Sequence, residues 1–183
     1  FNNIALRIKA MQPDIVIPAN YYNEYALLVR TMQQQRIVPK AIYSVLGGAA
    51  SQYKFVQEFP EASNGIIDCN HWFNPKDPRA QALRKRVEAQ GKFFNYEVFL
   101  TYTAMMYLAD AIENAKSRDR GAITQALASS TYSDHIMPYG QTKVVDGQNM
   151  GARPLMTQVL DGDIKVIFPT DYREATPLFP MKG

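Results

Sequence analysis

Only one cysteine, Cys69, one tryptophan and two histidines occur in the 183 residues. A single cysteine excludes an internal disulfide, and Cys69, His71 and His135 supply no close-spaced ligand set for a transition metal. No apolar run approaches the roughly 20 residues of a membrane span, and the opening FNNIALRIKA lacks the charged start and apolar stretch of a signal peptide. An excess of one charge is missing too. Lys and Arg number 20 against 17 Asp and Glu, interspersed along the chain, so there is no basic stripe to meet a nucleic-acid backbone and no nucleic-acid partner is expected. Catalytic signatures are equally scarce: there is no GxSxG elbow, no glycine-rich phosphate loop before a helix and no HExxH, and the scattered acids suggest no carboxylate pair. The chain is therefore expected to be no enzyme and to need no cofactor or metal.

What is present alternates. Ile4, Ile8 and Met11 repeat at helical spacing from the outset, so the chain is expected to begin inside an element with further sequence upstream. Pro13 ends that helix, and Asp14 to Pro18 (DIVIP) reads as a short buried strand. Asn23 is placed to cap a second helix, whose Tyr25, Leu28, Val29 and Met32 fall at i, i+3, i+4 and i+7. A strand is expected over Ala41 to Val45, then a glycine-containing loop, a helix turning Phe55, Val56 and Phe59 inward, and a third strand over Ile66 to Cys69. Helices alternating with strands give a parallel sheet flanked by helices, an α/β class.

From His71 to Pro78 the sequence HWFNPKDP disfavours regular structure and is the candidate linker. A helix follows from about Arg79 to Gln90, with Leu83 and Val87 inward. Next comes the strongest helical pattern of the chain, Val98, Tyr102, Met105, Ala109 and Ile112, a stripe that requires another surface against it. A shorter helix around Ala122 to Ala128 and a strand over Gln141 to Val145 precede a hairpin, LMTQVL and IKVIFP, turned at Asp161-Gly162-Asp163.

Four segments in this order resemble the leucine/isoleucine/valine-binding family of periplasmic solute-binding proteins: IKAMQPDIVIPANYYNEYALLVRTMQQ, IYSVLGGAASQYKFV, YEVFLTYTAMMYLADAIENA and LMTQVLDGDIKVIFP. Each is a weak motif alone; the order and spacing carry the likeness, over nearly all of this chain but about half of a family member. The resemblance implies the type I periplasmic-binding-protein fold, two α/β lobes with a ligand cleft between them, the second lobe incomplete here. Residues 1–69 with 153–170 would form the C-terminal lobe, 70–152 the end of the N-terminal lobe, and 171–183 a tail. It further implies an extracytoplasmic location, a small-molecule ligand, ABC permease subunits as partners, and a missing N-terminal half or a second chain over the Val98 to Ile112 face. A ligand-sensing domain of a regulatory protein is the alternative use of such a fold.

Ligands of open α/β sheets sit beyond the carboxyl ends of the strands. That rule selects Asn20, Tyr21 and Tyr22 after the first strand, and Ser44, Val45, Leu46 and Gly47 after the second. The resemblance singles out Tyr22 as ligand-facing and implies an acid near Val45 to pair an amino acid's ammonium; this sequence has Ser44-Val45-Leu46 there. Burying an ammonium without a counter-charge costs several kcal/mol, so either Glu97 replaces that acid or the ligand is an aromatic or aliphatic carboxylate without an amino group. Tyr96 is a further candidate, and Trp72 either caps the pocket or packs over the hinge.

Overall fold

The computed structural model describes residues 1–45 and 49–182. A five-stranded sheet runs in the order β1 (Ile15–Val16), β2 (Ala41–Val45), β3 (Ile67–Asn70), β4 (Leu155–Leu160), β5 (Asp163–Phe168). β1, β2 and β3 are parallel, and the β4–β5 hairpin extends them antiparallel through β3. The expected parallel sheet thus carries an antiparallel edge. The hairpin turns where expected: Asp161 and Gly162 both have positive φ, 52° and 79°, the backbone that a two-residue turn needs to match strand twist.

Helix α1 (Asn2–Met11) precedes β1, and α2 (Tyr22–Gln34) joins β1 to β2. Tyr25, Leu28, Val29 and Met32 of α2 are all buried, as their spacing requires. A 3-10 turn (Ala49–Ser51), α3 (Tyr53–Glu58) and α4 (Pro60–Ser63) lead into β3. Phe55 is wholly buried and meets the rings of Tyr22, Tyr25 and Phe59 at 6.3, 5.9 and 5.7 Å. Burial of such a ring contributes about 2–3 kcal/mol.

Several local expectations fail. In α1 the buried residue is Ala5, while Ile4 is exposed and Met11 is 74% exposed; the helix packs against α2, with Lys9 Nζ donating to the Gln35 carbonyl at 3.2 Å. Asn23 caps nothing: α2 starts a residue earlier, with Tyr21 at the N-cap and no side-chain cap. β1 covers only Ile15–Val16, and the strand expected at Gln141 is reduced to Val144–Val145, here β6, paired with β7 (Gln148–Asn149) across the Asp146-Gly147 turn.

Beyond β3, the segment expected to be a linker has no helix or strand until α5 (Pro78–Glu88), but it is no loose tether. Trp72 and Phe73 are almost wholly buried and form an aromatic knot with Phe94 and Phe99, centroids 5.1 to 5.6 Å apart. The knot belongs to the same buried cluster as the sheet core. It anchors α6 (Tyr96–Ala115), which packs on α7 (Arg120–Ala128), where the Tyr107 hydroxyl donates to the Leu127 carbonyl at 2.6 Å. Past Phe99, α6 buries only Ala111; Tyr102, Met105, Met106 and Ile112 remain exposed.

Candidate functional site

The three parallel strands end together on one side of the molecule, so the segments following them share the carboxyl edge of the sheet. After β1, Asn20 is exposed and Tyr21, the α2 N-cap, is 89% exposed. Tyr22 opens α2, its ring edge-on to Phe55 and its hydroxyl donating to Glu58 Oε2 at 3.2 Å; the Lys54 ammonium stands 5.5 Å from the ring centre. Burial, then the Glu58 carboxylate, pushes the Tyr22 phenol up to about 12. Its hydroxyl is therefore a neutral donor committed to α3.

After β2 the candidates divide. Ser44 is wholly buried and shares a 2.5 Å hydrogen bond with the Tyr25 hydroxyl, so it faces the core. Val45, on the opposite face of the strand, is 51% exposed. Leu46 and Gly47 lie outside the described residues. Tyr96 and Glu97 begin α6, the first half-buried, the second exposed. Burial, then the neighbouring Glu97 carboxylate, holds the Tyr96 phenol above its ordinary value, against the opposing effect of the Gln52 side chain. The Tyr53 backbone N–H donates to Asn95 Oδ1 at 3.1 Å. The start of α3 thus grips the start of α6, and the same short helix holds Tyr22 at its other end.

The segments at this edge carry aromatic rings, hydroxyls and acids, with the Lys54 ammonium over the Tyr22 ring and 3.8 Å from Glu58. Such a surface suits an apolar body with a polar end group. Trp72 takes no part in it, being buried under Phe73 and Phe99. Among the described residues no group of three or more His, Cys, Asp or Glu side chains is arranged to hold a metal.

One buried residue of this edge escaped the sequence reading. Asp68 of β3 is wholly buried and accepts a hydrogen bond from the Ser51 hydroxyl; burial raises its carboxyl above the ordinary value against the opposing effect of Ser51. An acid inside the otherwise apolar run IIDC was the available signal. At the far end of the sheet a recess of about 900 Å³ opens among Met32, Ile37, Pro39, Ile42 and Met181, with Arg36 at its lining. That end receives the amino termini of the strands, away from every candidate named above.

No curated protein matches the chain. Among solved structures, the leucine-binding protein LivK of Thermotoga maritima superposes with a TM-score of 0.73 at 22% identity, covering 91% of this chain and 47% of that one. The branched-chain amino acid transporter substrate-binding protein LivJ of Streptococcus pneumoniae, solved with isoleucine, gives 0.76 at 20% identity, covering 92% and 49%. A putative branched-chain amino acid ABC transporter protein of Silicibacter pomeroyi gives 0.75 at 17%, covering 97% and 50%. This chain therefore spans about half the length of the proteins whose fold it shares. A model of the periplasmic binding protein family matches residues 1–163, and with the type I fold in place the chain belongs to that family.

Proposed function

We propose that this chain is the C-terminal half of the solute-binding component of an ABC importer. It would capture a small molecule outside the cytoplasm, hand it to membrane permease subunits and transform nothing. The observation that carries the reading is the role of α3, which bonds Tyr22 through Glu58 and, through the Tyr53 N–H, Asn95 at the start of the helix that carries Tyr96 and Glu97; with Val45 at the end of β2, these residues are assigned to the carboxyl edge. They form one wall of a cleft whose ligand is an amino acid or an aromatic or aliphatic carboxylate.

Two unfinished surfaces support a missing remainder. β1 pairs only with β2 among the described residues, and Ile17 just beyond it is 62% exposed, an open parallel edge that another strand would complete. The apolar face of α6 likewise is exposed, with no cover among the described residues. In this reading residues 1–69 and 153–170 form the C-terminal lobe, 70–152 the end of the N-terminal lobe, and 171–183 a tail laid back on the sheet, where Leu178 exchanges two 2.9 Å hydrogen bonds with the Gln158 side chain.

The test is a thermal-shift screen of the protein including its N-terminal half, against amino acids and against aromatic and aliphatic carboxylates. A ligand that binds the folded state alone raises the melting temperature. Stabilisation by amino acids assigns the ammonium's counter-charge to Glu97 or to the upstream half, whereas stabilisation by carboxylates alone fits the absence of an acid at Val45. No shift with either class would contradict the proposal.

A further inference from the structure

Four buried polar side-chain atoms on β3, on the residues that continue it and on the facing β4 have no hydrogen-bond partner among the described residues: Asp68 Oδ1, Asn70 Nδ2, Trp72 Nε1 and Thr157 Oγ1. Each residue is at most 3% exposed. Their placement is ordered. Asp68 and Asn70 project from one face of β3, and Trp72 continues the same alternation, with the intervening Cys69 and His71 only half-buried. Thr157 is the cross-strand partner of Asp68. The other valences of this row are engaged, Asp68 Oδ2 by the Ser51 hydroxyl and Asn70 Oδ1 by the His71 backbone N–H at 2.8 Å.

A buried polar atom left unpaired costs on the order of 1–3 kcal/mol, and native interiors satisfy nearly all of them with protein or water. The chemistry of the row selects the guest. Asn70 and Trp72 offer N–H donors and need an acceptor; Asp68 Oδ1 needs a donor; the Thr157 hydroxyl takes either part. A cation would serve Asp68 and Thr157 and leave the N–H groups unpaired, and an anion would do the reverse beside a carboxylate. A water molecule donates and accepts at once.

We propose that the β3–β4 seam holds an internal hydration site, in which water donates to Asp68 Oδ1 and accepts from the side chains of Asn70, Trp72 or Thr157. Asp68 and Asn70 are two residues apart on the strand, about 6.6 Å, so two linked waters span the row. They bridge the sheet core to the aromatic knot at the point where β3 leaves the sheet.

The protein has a single tryptophan, so its indole N–H gives one unambiguous proton resonance. Water-selective NOE spectroscopy is expected to show a cross-peak from bound water to that proton and to the Asn70 side-chain amide. A high-resolution crystal structure is expected to show water density within hydrogen-bonding distance of Asp68 Oδ1. Thr157→Val tests the row with little change of shape, and is expected to reduce the occupancy of the water nearest Asp68 while the indole cross-peak persists. An indole proton with no NOE to water, a direct Thr157 to Asp68 hydrogen bond with no density between strands, or a coordinated cation in that density would each overturn the proposal.

Discussion

The sheet and the helical arm are made to different standards of completion. Between α2, α3 and the sheet, apolar side chains at helical and strand spacing are buried, and Ser44 among them is paired with Tyr25. In α6, the most regular helical pattern of the chain, the apolar stripe lies in the open, with Met105 59% exposed. Amphipathic patterning reports that a face is meant to be covered, and leaves open whether the cover lies in the same stretch of sequence. The two regions meet at the aromatic knot, and α6 begins at the candidate site.

That contrast is most directly broken at the knot. Phe99→Ala removes a wholly buried ring touching Trp72, Phe73 and Phe94, and is expected to cost about 3–5 kcal/mol in urea unfolding. Met105→Asp sharpens the contrast. In this chain alone it is expected to stay within about 0.5 kcal/mol of wild type, while in the protein containing the N-terminal half it lowers stability by about 1–3 kcal/mol, because a carboxylate is then buried unpaired.

Within the sheet region, Ser44→Ala strands the buried Tyr25 hydroxyl and is expected to cost about 1–3 kcal/mol; adding Tyr25→Phe should recover much of it, a coupling that a double-mutant cycle measures. The smallest effect is a matter of slope. Burial raises the folded-state carboxyl of Asp68 above its ordinary 3.8, so the folded state binds the proton more tightly than the unfolded. Stability therefore falls as pH rises from about that ordinary value through the raised one. Asp68→Asn is expected to flatten this part of the curve, seen as a loss of pH dependence in the urea midpoint.

Much of the fold was legible because burial acts on periodicity. β2 lies at Ala41–Val45 as its apolar run indicates, the face of α2 is the one its spacing selects, and the Asp161-Gly162 turn closes the hairpin its dipeptide predicts. Expectations failed where a local pattern is overruled by its surroundings. Ile4 and Met11 keep a helical period that no neighbouring surface uses, and the proline-rich stretch after His71 is fixed by Trp72 and Phe73, whose burial depends on α6 far along the chain. Of the candidate residues, Ser44 turns inward while Val45 is exposed, since residues 44 and 45 of one strand face opposite ways. The recess beside Arg36 left no mark in the sequence, because its lining comes from four segments that meet only on folding.

The proposed function requires the ligand to sit at the carboxyl edge and not in the recess at the other end. Calorimetric titration of a stabilising ligand into two variants of the protein containing its N-terminal half separates these directly. Tyr96→Ala removes a ring from the carboxyl edge and is expected to weaken binding about tenfold or more, some 1.4 kcal/mol, while Arg36→Ala at the recess leaves the affinity unchanged. Loss of binding in Arg36→Ala with full affinity retained in Tyr96→Ala would contradict the account and place the ligand at the amino end of the sheet.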